Sequence, residues 1–385
     1  MKIVAYADLH LFKVKDEMNR YISEELQDIK NKLINENDID ILVFCGDLTD
    51  TTYSSDDIRF IETINFISDI VKICESKKIS FRMIQGTASH DGKIVHILKK
   101  IFADYKYSIF FTSVAYENFR GYSIRYLPES YFPTYSEFKQ YAFGDKITDI
   151  TFFHGSVSGV IPYVKQKDSI TNLPKSIVIE QDDLKEYNRL FSAGGHIHQH
   201  INIDDKIFYI NSLTTTSFSD IDDIKGYMEF YLNDKGYEFK YVPNYKAPKY
   251  IDKIIENIHL LSNQDVKDRL NRLLLNISQR DHIRFTITGN KDFNGLSNLS
   301  LIKNHLKKYK FTIKTEMDEV ELKNKLSQDI DFYTDTSITY AEKIKKLAED
   351  NHGLELSSEE IEDIIGTKDY DEVIHKDNLV RKEIT

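Results

Sequence analysis

Five short polar segments, each following a β-rich run, constrain this chain more than any other feature. They are Asp8-Leu9-His10, Gly46-Asp47-Leu48-Thr49-Asp50, Ser89-His90-Asp91, His154-Gly155 and Gly195-His196-Ile197-His198. A strand that ends in Asp or His delivers that side chain to the edge of a sheet, and several such strands side by side deliver a cluster. The fold must therefore bring these strand ends together. Between them the segments hold nearly all the carboxylates and imidazoles that a pair of divalent cations would need.

The runs before the segments read as strands at Lys2 to Ala7, Asp40 to Cys45 and Ile79 to Gln85. Between the last two, an amphipathic helix starts near Ser54-Ser55-Asp56-Asp57 and carries Ile58, Ile61, Ile64, Ile67, Val71 and Cys74 on one face. Strand, helix, strand with polar strand ends is α/β grammar. Later strands fall at Ile150 to Phe153, Arg189 to Ala193 and Lys206 to Ile210. A hairpin follows, with arms Tyr227 to Leu232 and Tyr237 to Val242 around Asn233-Asp234-Lys235-Gly236.

Pro243 and Pro248 flank a polar stretch that reads as a domain boundary, so the first domain spans 1–243. A smaller α/β domain over 244–327 is expected from a helix at Ile251 to Ile277, a strand at Arg284 to Thr288, a helix at Leu299 to Lys308 and a strand at Lys310 to Lys314. Residues 328–385 form a tail with helical periodicity at Ala341 to Leu347 and after Ser357-Ser358-Glu359-Glu360. The overall charge of −11 is unevenly spread: Asp331 to Thr385 carries −8, and Tyr245 to Val320 carries +5. A nucleic-acid partner is compatible with that pattern, because a phosphate backbone responds to the local field. Two cysteines, Cys45 and Cys74, exclude a disulfide framework and a Cys-rich zinc site. No apolar stretch is long enough to cross a membrane. A cleaved leader would remove Asp8, so a reducing cytoplasm is the expected location.

Each segment has a bland reading beside the chemical one. Asp47 or Asp50 could cap a loop, and a single His at a strand end is more often structural. Gly46 allows a tight turn, however, and the carboxylate of Asp47 at a strand end can serve two cations, one per oxygen. His196 and His198 stand at i and i+2 beside a double glycine, on the same side of an extended backbone. His200 continues the alternation and reads as a bystander.

Taken in order, the five segments resemble the signature of the calcineurin-like metallophosphoesterases: Asp-x-His, Gly-Asp-x-x-Asp, Gly-Asn-His-Asp/Glu, His, Gly-His-x-His. The likeness covers roughly the first 215 residues. It implies a two-sheet α/β sandwich flanked by helices, with a smaller α/β cap domain and a helical C-terminal tail. It further implies that Asp8, His10 and His198 hold one metal, and that Asp47 bridges to a second held by His154, His196 and Ser89. Here Gly86-Thr87-Ala88-Ser89-His90-Asp91 stands where the family has Gly-Asn-His-Asp. Two residues are inserted, and Ser89 is expected at the position of the metal-binding Asn. His90 is the expected catalytic contact to phosphate and leaving group, with Asp91 available to orient it. Oxygen and nitrogen ligands suit Mn²⁺, Fe²⁺ or Zn²⁺, and the resemblance favours two Mn²⁺.

Within the superfamily, Asp8-Leu9-His10-Leu11 close to the N-terminus looks like the nuclease subunit of the SbcC–SbcD complex and its phage recombination counterparts. The run Tyr209-Ile210-Asn211-Ser212-Leu213…Ser217-Phe218 resembles the Tyr-x-Gly-Ser-Pro…Ser-Phe run of that group, without its Gly and Pro. This implies a DNA exonuclease/endonuclease acting in repair or recombination. Lys303, Lys307 and Lys308 would meet DNA, a homodimer would form, and the C-terminal region would dock on an SbcC-like ATPase. The lysines also fit a plain solvated helix face. The chain has no Gly-x-x-x-x-Gly-Lys-Ser/Thr loop of its own, so ATP use would fall to the partner. Two other functions stay open: a small-molecule or cyclic-nucleotide phosphodiesterase, and a weakly active scaffold subunit.

Overall fold

Polar strand ends can be held rigid only if the strands behind them are buried on both faces, and that requirement shapes the first part of this molecule. A computed structural model describes residues 1–12, 16–160, 176–215, 223–278, 280–290 and 293–318, with a few positions beyond. In chain order these begin β1 (Lys2–Tyr6), α1 (Asp16–Asn35), β2 (Ile41–Cys45), α2 (Ile58–Lys77), β3 (Ser80–Ile84), α3 (Ala88–Asp91), α4 (Ile94–Ile101) and β4 (Ser108–Phe111). They continue as β5 (Ala115–Phe119), β6 (Tyr122–Leu127), α5 (Tyr135–Ala142), β7 (Thr148–His154), α6 (Gln181–Glu186) and β8 (Asn188–Gly195). Then come β9 (Ile201–Ile203), β10 (Ile207–Tyr209), β11 (Gly226–Asn233) and β12 (Gly236–Pro243).

These strands make two six-stranded sheets, ordered β12-β11-β1-β2-β3-β4 and β5-β6-β7-β8-β10-β9. β1 to β4 run parallel, as do β6, β7, β8 and β10, and the antiparallel strands lie outside these runs. Alternation along β1 shows how the layers form. Ile3, Ala5 and Ala7 join Ile124, Phe152 and Phe191 in a core between the sheets. Val4 and Tyr6 point the other way, into a core with Leu26, Ile29 and Leu33 of α1 and Ile67, Ile70 and Val71 of α2. A third core packs Phe138 of α5 and Leu184 of α6 on the outer face of the second sheet. Two sheets between helices bury large apolar side chains on both faces of the central strands β1, β2 and β3, each worth roughly 1.5–3 kcal/mol. Cys45 and Cys74 are buried free thiols in these cores.

Two expectations need correcting. The buried face of α2 is Thr63, Phe66, Ile67, Ile70, Val71 and Cys74, whereas Ile58 is 63% and Ile61 46% exposed. Spacing by threes drifts roughly 60° round a helix per step, so the two N-terminal isoleucines turn away from the core. The stretch from Ile251 is also not one helix. Tyr250–Ile255 is a strand, β13, and a helix, α7, begins only at Asn263 and ends at Leu273. The reason is local: Ser262 and Asp265 form a reciprocal capping box that fixes the helix start, leaving Ile251, Ile254 and Ile255 to a β conformation.

The chain divides into two compact units, one built on Met1–Asp252 with Asn276–Arg284 and Lys308–Thr312, the other on Lys253–Leu275 and Phe285–Lys307. After α7 come β14 (His282–Asn290), α8 (Phe293–Leu306) and β15 (Lys310–Asp318). The three strands form a sheet in the order β13-β14-β15. Buried Asn298 on α8 donates to the carbonyls of Ile258 (3.0 Å) and Leu261 (2.7 Å), tying the helix to the turn before α7. The expected tail helices and the Ser217-Phe218 pair lie outside the described residues, apart from isolated positions in the tail. Among the described residues, no helix is long and apolar enough to cross a membrane.

Candidate metal centre

The central parallel strands of both sheets end at one edge, and their last residues carry the chemistry. β1 leads into Asp8 and His10, β2 into Asp47, β3 into Gly86-Thr87, β7 ends in His154, and β8 leads into His196 and His198. Three sets of ligand atoms lie within 4.8 Å of one another: Asp8–His10–His198, Asp47–His154–His196 and His10–Asp47–His90. Asp8, His10, Asp47 and His154 are buried, and His90, His196 and His198 half-buried.

The backbone bends hard to achieve this. Asp8, His10 and Asp47 sit in the left-handed region, at φ 49°, 44° and 49°. A non-glycine residue persists there only when its surroundings impose it, a condition met most often at functional sites. The imposing contacts are Asp8 N–H to Gly46 O (3.1 Å) and His10 N–H to Asp47 O (3.1 Å), which lace the β1 and β2 ends together. Glycine is required where chains touch: a Cβ on Gly46 would lie 2.3 Å from His154 Nδ1, and one on Gly86 2.2 Å from the Asp47 amide nitrogen.

Backbone partners also fix the imidazoles. His154 Nδ1 is 2.7 Å from the Cys45 carbonyl, so it carries the proton there and leaves Nε2 facing Asp47 Oδ1 at 3.3 Å. His90 Nδ1 is held the same way, 2.6 Å from the Asp50 carbonyl. The Nε2 atoms of His10 and His198 approach to 2.9 Å, a separation that a shared proton or a cation satisfies. Asp8 accepts the His196 amide on both oxygens, at 2.8 and 3.1 Å.

Packing so many groups together shifts their protonation. Burial opposes ionisation of Asp47, but His154, charged and hydrogen-bonded beside it, holds the carboxyl well below the usual range. Burial also works against charged His154, yet Asp47 and Asp8 raise it to about 10. Asp8 is pushed up to about 7, chiefly by burial, with His154 pulling down and Asp47 pushing up. His196 is lowered, first by burial and then by the charge of His154. A proton on His154 therefore supplies positive charge that a bound cation would otherwise bring. The donors are oxygen and nitrogen only, buried or half-buried and convergent from both sheets, and this set fits divalent cations.

Two residues stand elsewhere than the sequence suggested. Ser89 is exposed on α3, and no hydrogen bond ties it to Asp47, His154 or His196 among the described residues. The hydroxyl at the site is Thr87's: Oγ1 lies 3.3 Å from Asp47 Oδ2 and 3.3 Å from His154 Nε2, and its amide donates to Asp47 Oδ1 at 2.6 Å. The two inserted residues are absorbed by the single turn of α3 after Thr87, which returns His90 to the site through its amide bond to Thr87 O at 3.0 Å. Gly86 was the usable clue, because the tight contact with Asp47 fixes the residue after it at the ligand position. Asp91 is buried, and its carboxylate is engaged by backbone amides rather than by the His90 ring. It accepts from Leu48 N (2.7 Å), Thr49 N (3.4 Å) and Gly86 N (2.6 Å), clamping two ligand loops. Burial, followed by the charge of Asp47, pushes Asp91 up to about 6.

Sequence reading also missed Lys225, almost fully buried, whose Nζ donates to His198 O (2.6 Å) and Asn211 Oδ1 (3.2 Å). A lone lysine before a strand carries no signal of that role. His200 stacks on Tyr241, with ring centroids 4.1 Å apart, and is outside the ligand sets. Lys303, Lys307 and Lys308 are exposed at and just beyond the end of α8.

Residues 1–228 match the model of the calcineurin-like phosphoesterase family. The chain belongs to that family. Metal-dependent phosphoester hydrolysis is therefore its chemistry, and the two helix-flanked sheets are the family's sandwich. Among solved structures, the chain is similar to TT1561 of Thermus thermophilus, with 12% identity over 62% of this chain and 98% of that one, at a TM-score of 0.36. It is also similar to the glutamine-dependent NAD⁺ synthetase from Acinetobacter baumannii, with 12% identity over 90% of this chain and 70% of that one, at a TM-score of 0.33. Likeness at that level carries no argument about the site.

Proposed function

We propose that this phosphoesterase cleaves DNA, as a Mn²⁺-dependent exonuclease/endonuclease subunit that works with an SbcC-like ATPase in repair or recombination. The observation that supports DNA over a small diester is the second compact unit, whose helix α8 and the residue after it expose Lys303 and Lys307, with Lys308 exposed next in the chain. In this reading that unit faces DNA and its lysines contact phosphates, while the C-terminal region docks the ATPase and the chain pairs as a homodimer.

Asp8, His10 and His198 would hold one cation, and His154, His196 and Thr87 the other, with Asp47 shared between them. Bound there, two divalent cations supply activated water and charge neutralisation for attack on phosphorus. The chain's own residues do the rest. The Asp50 carbonyl holds the proton on His90 Nδ1, which directs Nε2 as the atom to offer a proton to a phosphate oxygen or the departing alkoxide. Asp91 keeps Leu48 and Gly86, and so Asp47 and Thr87, at fixed separation.

The test is degradation of end-labelled linear duplex DNA by the full chain with Mn²⁺, alongside Asp47→Asn and a soluble phosphodiester. Mn²⁺-dependent DNA cleavage lost in Asp47→Asn, by about a thousandfold or more, is the expected outcome. Turnover of only the soluble diester would replace DNA with a small substrate. Cleavage of neither, with or without the ATPase, would leave a scaffold.

A further inference from the structure

The two halves of the centre are unequally supplied, and a nearby carboxylate stands where the poorer one needs help. Asp47–His154–His196 has a threonine hydroxyl where the family supplies an amide oxygen, and a hydroxyl is the weaker neutral ligand. Strand β6 ends at Leu127, paired in register with Phe153, the residue before His154. Glu129 follows two residues later, leaving the sheet beside His154. Its amide donates to Gln85 O at 3.3 Å, which ties it to the segment leading into Gly86-Thr87. Its Oε2 is buried with no hydrogen-bond partner among the described residues. A buried carboxylate oxygen left unpaired is costly unless something positive is due to face it. The charge of Glu129 acts on His154 and His196, the two imidazoles of this half.

We propose that Glu129 is a positioning residue for the cation held by Asp47, His154 and His196, an outer carboxylate that offsets the weak Thr87 ligand. Glu129 lies outside the three ligand sets, so it acts through a water or an orienting contact and not as a further direct ligand. The inference rests on the reading of this edge as a two-cation site and is independent of whether the substrate is DNA.

Binding of Mn²⁺ itself tests it, by calorimetry and by the electron paramagnetic resonance signal of free Mn²⁺, on the full chain and on Glu129→Gln and Glu129→Asp. The wild type is expected to bind two Mn²⁺. Glu129→Gln is expected to loosen one site about tenfold and leave the other within about twofold, the usual cost of removing an outer-shell partner. Glu129→Asp, which keeps the charge, is expected to recover part of the loss. The melting temperature of the metal-free variants, close to wild type, would show that the fold is intact. Two sites with unchanged affinities in Glu129→Gln, or two sites loosened equally, overturn the role given to Glu129 while sparing the metal reading. A wild-type chain that binds fewer than two Mn²⁺ overturns both.

Discussion

The two halves of the centre are built from different kinds of structure. Asp8, His10 and His198 come from the residues directly following β1 and β8, strands buried on both faces. Asp47, His154 and His196 are strand-end residues too, but this half is completed by loops: Thr87 ahead of the one-turn helix α3, and Asp91 clamping that loop to Leu48. A strand end cannot accept extra residues without shifting its whole register, since one residue turns every side chain to the other face. A loop can. Against the signature that the sequence resembles, this chain departs in the Gly86–Asp91 loop and keeps Asp and His at its strand ends.

His90 belongs with Asp47 and His10 in the third ligand set, so it touches both halves and is owned by neither. Its ring stands edge-on to that of His10, 4.8 Å between centroids, with Nδ1 on the Asp50 carbonyl. His90→Gln is expected to lower kcat by about 10²–10⁴-fold, the range for loss of general acid–base help, while both Mn²⁺ affinities stay within about twofold. Steady-state kinetics beside Mn²⁺ titration checks this. Loss of a metal instead would make His90 a ligand and erase the division between the halves.

Asp91 sharpens the comparison through stability. Asp91→Asn replaces an acceptor oxygen with an N–H aimed at a backbone N–H, in a site with almost no solvent. Given contacts to Leu48, Thr49 and Gly86, the expected loss is about 2–3 kcal/mol, read as a fall in denaturation midpoint. Mn²⁺ should recover less of it than it adds to the wild type, because the half that Asp91 clamps is the one spoiled. An equal gain from Mn²⁺ in both proteins would mean that the clamp serves the fold alone.

How much of this was readable beforehand follows the same division. Asp8, Asp47, His154, His196 and His198 were visible because each closes a β-rich run, and a side chain at a parallel strand end has one place to go. The two-sided burial of the first sheet was legible in β1 and β2, whose unbroken apolar runs need cover on both faces. What stayed hidden was three-dimensional bookkeeping within loops and helix phase. In Gly86-Thr87-Ala88-Ser89-His90-Asp91 only Gly86 hints at where the two extra residues sit, and α3 shows that they form a turn after Thr87. Ile58 and Ile61 looked like core by residue type, and only packing reveals that α2 begins beyond it. Lys225 and Glu129 carry no motif at all; they matter through what the fold sets beside them.

The finest cut through the comparison is between two hydroxyl residues of one loop, Thr87 and Ser89. If the loop-built half is weak because a hydroxyl replaced an amide, then Thr87→Asn should tighten one Mn²⁺ site by about tenfold, roughly 1.4 kcal/mol, and leave the other alone. Ser89→Ala should change neither affinity nor kcat, since Ser89 is exposed on α3 while Thr87 contacts Asp47 and His154. Calorimetric Mn²⁺ titration of the two variants separates the alternatives cleanly. Weaker binding in Ser89→Ala would mean that the α3 turn opens when cations bind and lets Ser89 take the amide's place. An unaltered Thr87→Asn would mean that the longer side chain cannot reach past Asp47 and His154.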